Sequence, residues 1–114
     1  MNLQTIIEKL NLTLLTEERD FSSIQIESGY QSDLLSCVMT GAQPQSIWIT
    51  LIANINIVAV ASLLEISAII ITENAQPNQE TISRANMEEI VLLSTSASNF
   101  QVAGQLWDLG IKDH

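Results

Sequence analysis

Basic residues are nearly missing from this chain: Lys9, Arg19, Arg84 and Lys112 stand against thirteen Asp and Glu, for a formal net charge of −9. That balance repels polyphosphate backbones and anionic bilayers at long range, so neither nucleic acid nor a membrane is expected as a partner. Cysteine is equally scarce. Cys37 is the only one, which excludes an intrachain disulfide framework and fits a reducing, cytoplasmic setting. It lies between Ser36 and Val38 with no Lys, Arg or His nearby to lower its pKa, so it reads as a structural buried thiol rather than a nucleophile.

Histidine is confined to His114, the last residue, which leaves no imidazole placed for general-base work or for a metal site. The acids Glu17, Glu18 and Asp20 have no partner ligands and read as a solvated loop. No Gly-x-x-x-x-Gly-Lys-Ser/Thr run is present to cradle phosphates. Catalytic residues and metal ligands are therefore both read as none. The N-terminal Met1 to Thr5 lacks the basic region of a signal peptide. The uncharged, apolar stretch from Ile47 to Leu64 is long enough to suggest a membrane span, but Asn54 and Asn56 interrupt it near the middle. A strand, a turn and a capped helix account for it better.

What the chain does have is apolar material, 46% of its 114 residues, enough for a packed core within one domain. Three short runs organise it: Ile47-Trp48-Ile49-Thr50, Ile69-Ile70-Ile71-Thr72 and Leu92-Leu93-Ser94-Thr95. Their starts lie 22 and 23 residues apart, room for one helix and two loops between successive strands. This is the spacing of βαβ units. The fold class expected is α/β, a three-layer α/β/α domain over residues 1–114 with a mostly parallel sheet of about five strands.

Around the three runs the local signals are those of caps and turns. Asn2 is expected to cap a helix carrying Leu3, Ile6, Ile7 and Leu10, which Asn11 ends, and Leu12 to Leu15 reads as a strand. Alternation of Ile24 and Ile26 with Gln25 and Glu27 predicts an edge strand there, followed by a turn at Ser28 to Gln31. Ser32 is expected to cap the next helix, with Asp33 in its first turn and Gly41 stopping it. Helices from about Asn54 to Glu65, from Asn78 to Glu89, and from Ser96 to Gly110 complete the chain.

The succession Gly29-Tyr30-Gln31-Ser32-Asp33-Leu34-Leu35, Pro44 through Trp48-Ile49-Thr50, Ile69-Ile70-Ile71-Thr72, Pro77 and Val91-Leu92-Leu93-Ser94-Thr95 resembles the DRTGG domain, a family related to the amino-terminal domain of HPr kinase/phosphorylase. The resemblance runs from about Leu12 to Leu109. It implies a dimeric three-layer regulatory domain, of the kind found fused to CBS domains, and some stand-alone members are described as serine kinase-like. The chain departs from the motif at its naming residues. Ala53-Asn54 stand where the family has Asp-Arg, and Thr72-Glu73-Asn74 where it has Thr-Gly-Gly.

Two surfaces follow as candidates. Parallel strands end at one edge, and α/β sheets bind ligands outside that edge. Thr50, Asn54, Asn56, Thr72, Glu73, Asn74 and Thr95 are thus expected to form a hydroxyl- and amide-rich rim able to hold a small polar metabolite. On the helix after Asn54, Ile57, Val60, Ala61 and Leu64 should face the sheet, while Ile55, Ala59, Ser62 and Ile66, flanked by Val58 and Leu63, form a second apolar face expected at a homodimer interface. The function expected is a non-catalytic regulatory or protein-interaction module, with a regulated protein partner or a small ligand. The alternative is a small enzyme or kinase-like accessory using the same rim. Nothing in the sequence specifies a cofactor.

Overall fold

The computed structural model describes residues 1–113. In chain order it comprises α1 (Leu3–Leu10), β1 (Thr13–Leu14), a 3₁₀ turn (Phe21–Ser23), β2 (Ser28–Gln31), α2 (Leu35–Gly41), β3 (Ser46–Thr50), α3 (Asn56–Leu64), β4 (Ala68–Ile71), α4 (Gln79–Met87), β5 (Val91–Ser94) and α5 (Asn99–Asp108). The sheet order is β1-β5-β4-β3-β2, with β2 to β5 parallel and β1 antiparallel to β5. This is the expected α/β architecture. Its three repeated runs form β3, β4 and β5.

Because each crossover steps one place in the same direction, the right-handed rule puts α2, α3 and α4 on one face of the sheet. The other face would be bare, and α1 and α5 cover it. Alternate strand residues feed two cores: Ile47, Ile49, Ile70 and Leu93 pack toward α1 and α5, while Trp48, Ile69, Ile71 and Leu92 pack toward α2, α3 and α4. Covered on both sides, these strands are apolar throughout rather than alternating.

The asparagine caps form as expected. Asn2 Oδ1 accepts from Thr5 N at 2.9 Å and Asn78 Oδ1 from Thr81 N at 2.9 Å, while Asn11 takes the left-handed φ of 53° that ends α1. Ile47 to Leu64 divides into β3, a bend and α3, and among the described residues no helix is long and apolar enough to cross a membrane.

Several local expectations are corrected, among them the burial of Cys37, which is exposed. Ile24 to Glu27 is not a sheet strand: Leu3 N donates to Ile24 O and Ile26 N to Met1 O, so this segment clasps the N-terminus. The strand is the predicted turn, Ser28–Gln31, and β1 and β2 lie at opposite edges of the sheet. Helix α2 starts at Leu35 without a side-chain cap, and Ser98 rather than Ser96 caps α5. Gly41 does not end α2 by a left-handed turn. It is the last helical residue, and a Cβ there would stand 2.5 Å from the Tyr30 hydroxyl, so its smallness admits the Tyr30 ring. The expectation for His114 lies outside the described residues.

Helix α3 ends at Glu65 with φ 59°, its side chain exposed. A left-handed residue with a Cβ costs about 1 kcal/mol that glycine avoids. Glu65→Gly is expected to raise stability by about 0.5–1 kcal/mol in urea denaturation; a loss would mean that the Glu65 side chain makes a contact that matters.

Candidate functional site

Strands β3 and β4 run in register, Thr50 beside Ile71, and Thr72 N donates to Thr50 O at 2.9 Å. Their carboxyl ends thus share one edge. Thr50 and Thr72 are both fully buried, and each hydroxyl is used within the protein. Thr50 Oγ1 donates to Asp33 Oδ1 at 2.8 Å, and Leu51 N donates to the same oxygen at 2.8 Å. Thr72 Oγ1 donates to Asn99 Oδ1, and Asn99 Nδ2 donates to Asp33 Oδ2 at 3.0 Å. One carboxylate and one amide therefore tie the ends of β3 and β4 to the start of α5.

Neither Asp33 nor Asn99 was among the expected site residues. Asp33 lies just before α2, and its carboxylate turns to the strand ends instead of the helix. A signal was present: it is the only charged residue between Glu27 and Glu65, an isolated acid in a long uncharged stretch.

The remaining rim residues divide by role. Asn54 Oδ1 accepts from Asn56 N at 2.9 Å, a turn-stabilising bond at the start of α3. Thr95 Oγ1 accepts from Ala97 N at 3.2 Å. Glu73 and Asn74 both take left-handed backbone, φ 58° and 59°, held by Glu73 N to Ala97 O at 2.9 Å and Asn74 N to Thr95 O at 3.1 Å. These two residues stand where the resemblance places Gly-Gly, the residues that adopt such a turn without strain. Glu73 Oε2 also accepts from Asn99 N at 3.2 Å, the first residue of α5, where the helix dipole favours a negative charge.

With Thr50 and Thr72 withdrawn, the solvent side of the rim carries Asp33, Glu73, Asn54, Asn56 and Asn74, all exposed. It is a set of acceptors and amides rather than of hydroxyls. Large apolar side chains adjoin the polar centre: Leu34 follows Asp33, Leu51 supplies its amide, and Phe100 follows Asn99, with exposures of 59%, 44% and 91%. Among the described residues, no three His, Cys, Asp or Glu are grouped to hold a metal ion.

The expected second face of α3 is narrower than its sequence spacing suggests. Val58 is fully buried, and Ile66 is 3% exposed, carried back under the helix by the turn at Glu65, with Ile66 N donating to Ala61 O at 3.0 Å. Ile55 is half-buried. Ala59, Ser62 and Leu63 remain exposed.

No protein-family profile matches the chain, and no curated protein does. Among solved structures it is similar to the CBS and DRTGG domains of the regulatory region of Clostridium perfringens pyrophosphatase, complexed with the activator diadenosine tetraphosphate. The TM-score is 0.73 at 17% identity, over 92% of this chain and 45% of that one. This chain thus spans less than half the length of that regulatory region. At this identity the similarity establishes a DRTGG-like α/β fold.

Proposed function

We propose that the protein is a non-catalytic regulatory module that acts as a homodimer and senses a small polar metabolite at the carboxyl edge of its sheet. The observation that carries this reading is the fold shared with a regulatory region whose solved form holds a nucleotide activator. The rim gives the reading its chemistry. Asp33, Glu73 and the exposed amides suit a ligand rich in hydrogen-bond donors, such as an amine, a guanidine or a polyol. Phosphates are disfavoured, since no Lys or Arg occurs from Asp20 to Ser83 to neutralise them. With the hydroxyls of Thr50 and Thr72 committed to Asp33 and Asn99, the rim holds neither an activated nucleophile nor an imidazole base.

Titration calorimetry against arginine, spermidine, adenosine and ATP tests the ligand class. Saturable binding of one of the first three, weakened by Glu73→Gln, supports the proposal. ATP binding in preference to all of them would overturn the donor-rich assignment.

The dimer is assigned to Ala59, Ser62 and Leu63 of α3, continued by Met87 of neighbouring α4, with Leu63 and Met87 exposed to 68% and 77%. Small Ala59 and Ser62 let a second helix approach closely. Ala59→Arg puts an unpaired charge into that contact and is expected to convert dimer to monomer in sedimentation analysis. A dimer of unchanged affinity from this variant would move the interface off α3.

A further inference from the structure

A cavity of about 240 Å³ lies between α5, the outer strand β2 and the segment that follows α5, and none of its lining residues belongs to the carboxyl-edge rim. Ala103 is the small residue on its α5 wall. Ile111 closes over Gly29, its Cγ2 only 3.3 Å from where a Cβ would stand. The floor is apolar and fixed, with Ile49, Leu106 and Ile111 at 3%, 2% and 7% exposure. The wall is the Trp107 indole, 55% exposed where the core tryptophan Trp48 is fully buried.

Polar groups lie at the mouth. Gly29 N points away from β3 and donates to Lys112 O at 2.7 Å, so the alternation of a parallel ladder turns the backbone amide and carbonyl of Gln31 to the same side. Lys112 Nζ lies 4.2 Å from the Trp107 ring centroid and donates to Trp107 O at 3.0 Å. One of only four cations in the chain is thereby held in place beside the cavity.

We propose that this cavity binds a planar aromatic carboxylate, its ring between Trp107 and the aliphatic floor and its carboxylate on the Lys112 ammonium. Size and chemistry agree. A dry aliphatic cavity of roughly 150 Å³ accepts benzene, so one of this volume accommodates a bicyclic ring. The aliphatic floor and indole wall favour a flat apolar body, and the fixed cation favours an acid over an amine against the opposing charge of Asp113 on the same lining. The site is independent of the rim proposed above, and each can fail alone.

The two indole Nε1–H signals, Trp107 at the cavity and Trp48 in the opposite core, make the test internal. Titration of the ¹⁵N-labelled protein with indole-3-carboxylate is expected to shift Trp107 and the Gln31 amide saturably, with Trp48 unmoved and a Kd at or below ~1 mM. Ala103→Phe fills the cavity and should abolish the shifts while leaving the thermal midpoint and spectral dispersion intact. Lys112→Ala should weaken the acid roughly fivefold and leave neutral indole unaffected. No saturable shift at several millimolar would overturn the proposal, as would tryptamine binding as tightly as the acid. Full binding by Ala103→Phe would place the ligand elsewhere. Should that variant fold poorly, the wild-type titration and Lys112→Ala still decide.

Discussion

Asp33→Ala is expected to lower the unfolding free energy by about 2–3 kcal/mol and the thermal midpoint by roughly 10 °C, a large effect for an exposed residue. The carboxylate accepts from Thr50 Oγ1, Leu51 N and Asn99 Nδ2. Alanine leaves a hydroxyl on a fully buried residue without its acceptor and frees the start of α5 from the end of β3. Asp33→Asn separates charge from connectivity. It can still accept from Thr50 and Leu51, but its own amide then faces the Asn99 amide, and about half the loss is expected. A double-mutant cycle with Asn99→Ala should show coupling, because either change alone already breaks the bond between the two side chains. If Asp33→Ala costs under ~0.5 kcal/mol in chemical denaturation, solvent replaces these bonds and the rim is not rigid.

Trp48→Ala is expected to be the most damaging single change, at about 3–5 kcal/mol. Trp48 is fully buried in the core beneath α2, α3 and α4, and its Nε1 donates to Ser32 O at 3.0 Å, fixing the chain just ahead of Asp33. A domain of this size is stable by roughly 5–15 kcal/mol, so the variant should be marginal or partly unfolded at 37 °C. Trp48→Phe keeps most of the apolar contact, loses the hydrogen bond, and should cost about 1–2 kcal/mol. Near-ultraviolet circular dichroism and urea titration of the two variants measure the difference. Equal losses would show that the ring volume is immaterial and the hydrogen bond to Ser32 carries the effect.

Trp48 stands between two isoleucines and Trp107 between Leu106 and Asp108; the first is core and the second forms a cavity wall. Short-range pattern reports what a residue is beside in the chain. It located β3, β4 and β5 because strands buried on both faces must be apolar throughout, and it located α1 and α4 because asparagine caps act within three residues. It failed where tertiary contacts decide. Ile24 and Ile26 alternate as a strand would, but their backbone pairs with Met1 and Leu3. Gly29 suggests a turn, whereas it is the approach of Ile111, 82 residues later, that a side chain there would obstruct. The angular spacing along α3 treats the helix as alone on the sheet; α2 and α4 flank it on both sides, and Val58 is lost from the outer face. The shared edge of β3 and β4 was legible, but the Asp33–Asn99 bond across it was not, because it joins residues 66 apart.

The turn at Glu73 and Asn74 shows what holds a bend when glycine is absent. Both residues hold left-handed backbone although neither is glycine, and the amides of both are anchored, to Ala97 and Thr95. Strain of about 1 kcal/mol at each is of the same size as the net contribution of the bond that anchors it. With both amides anchored, the bend does not depend on a particular pair of side chains. The direction of the chain at this turn is written in its main-chain bonds, and glycine is one way among several of meeting them.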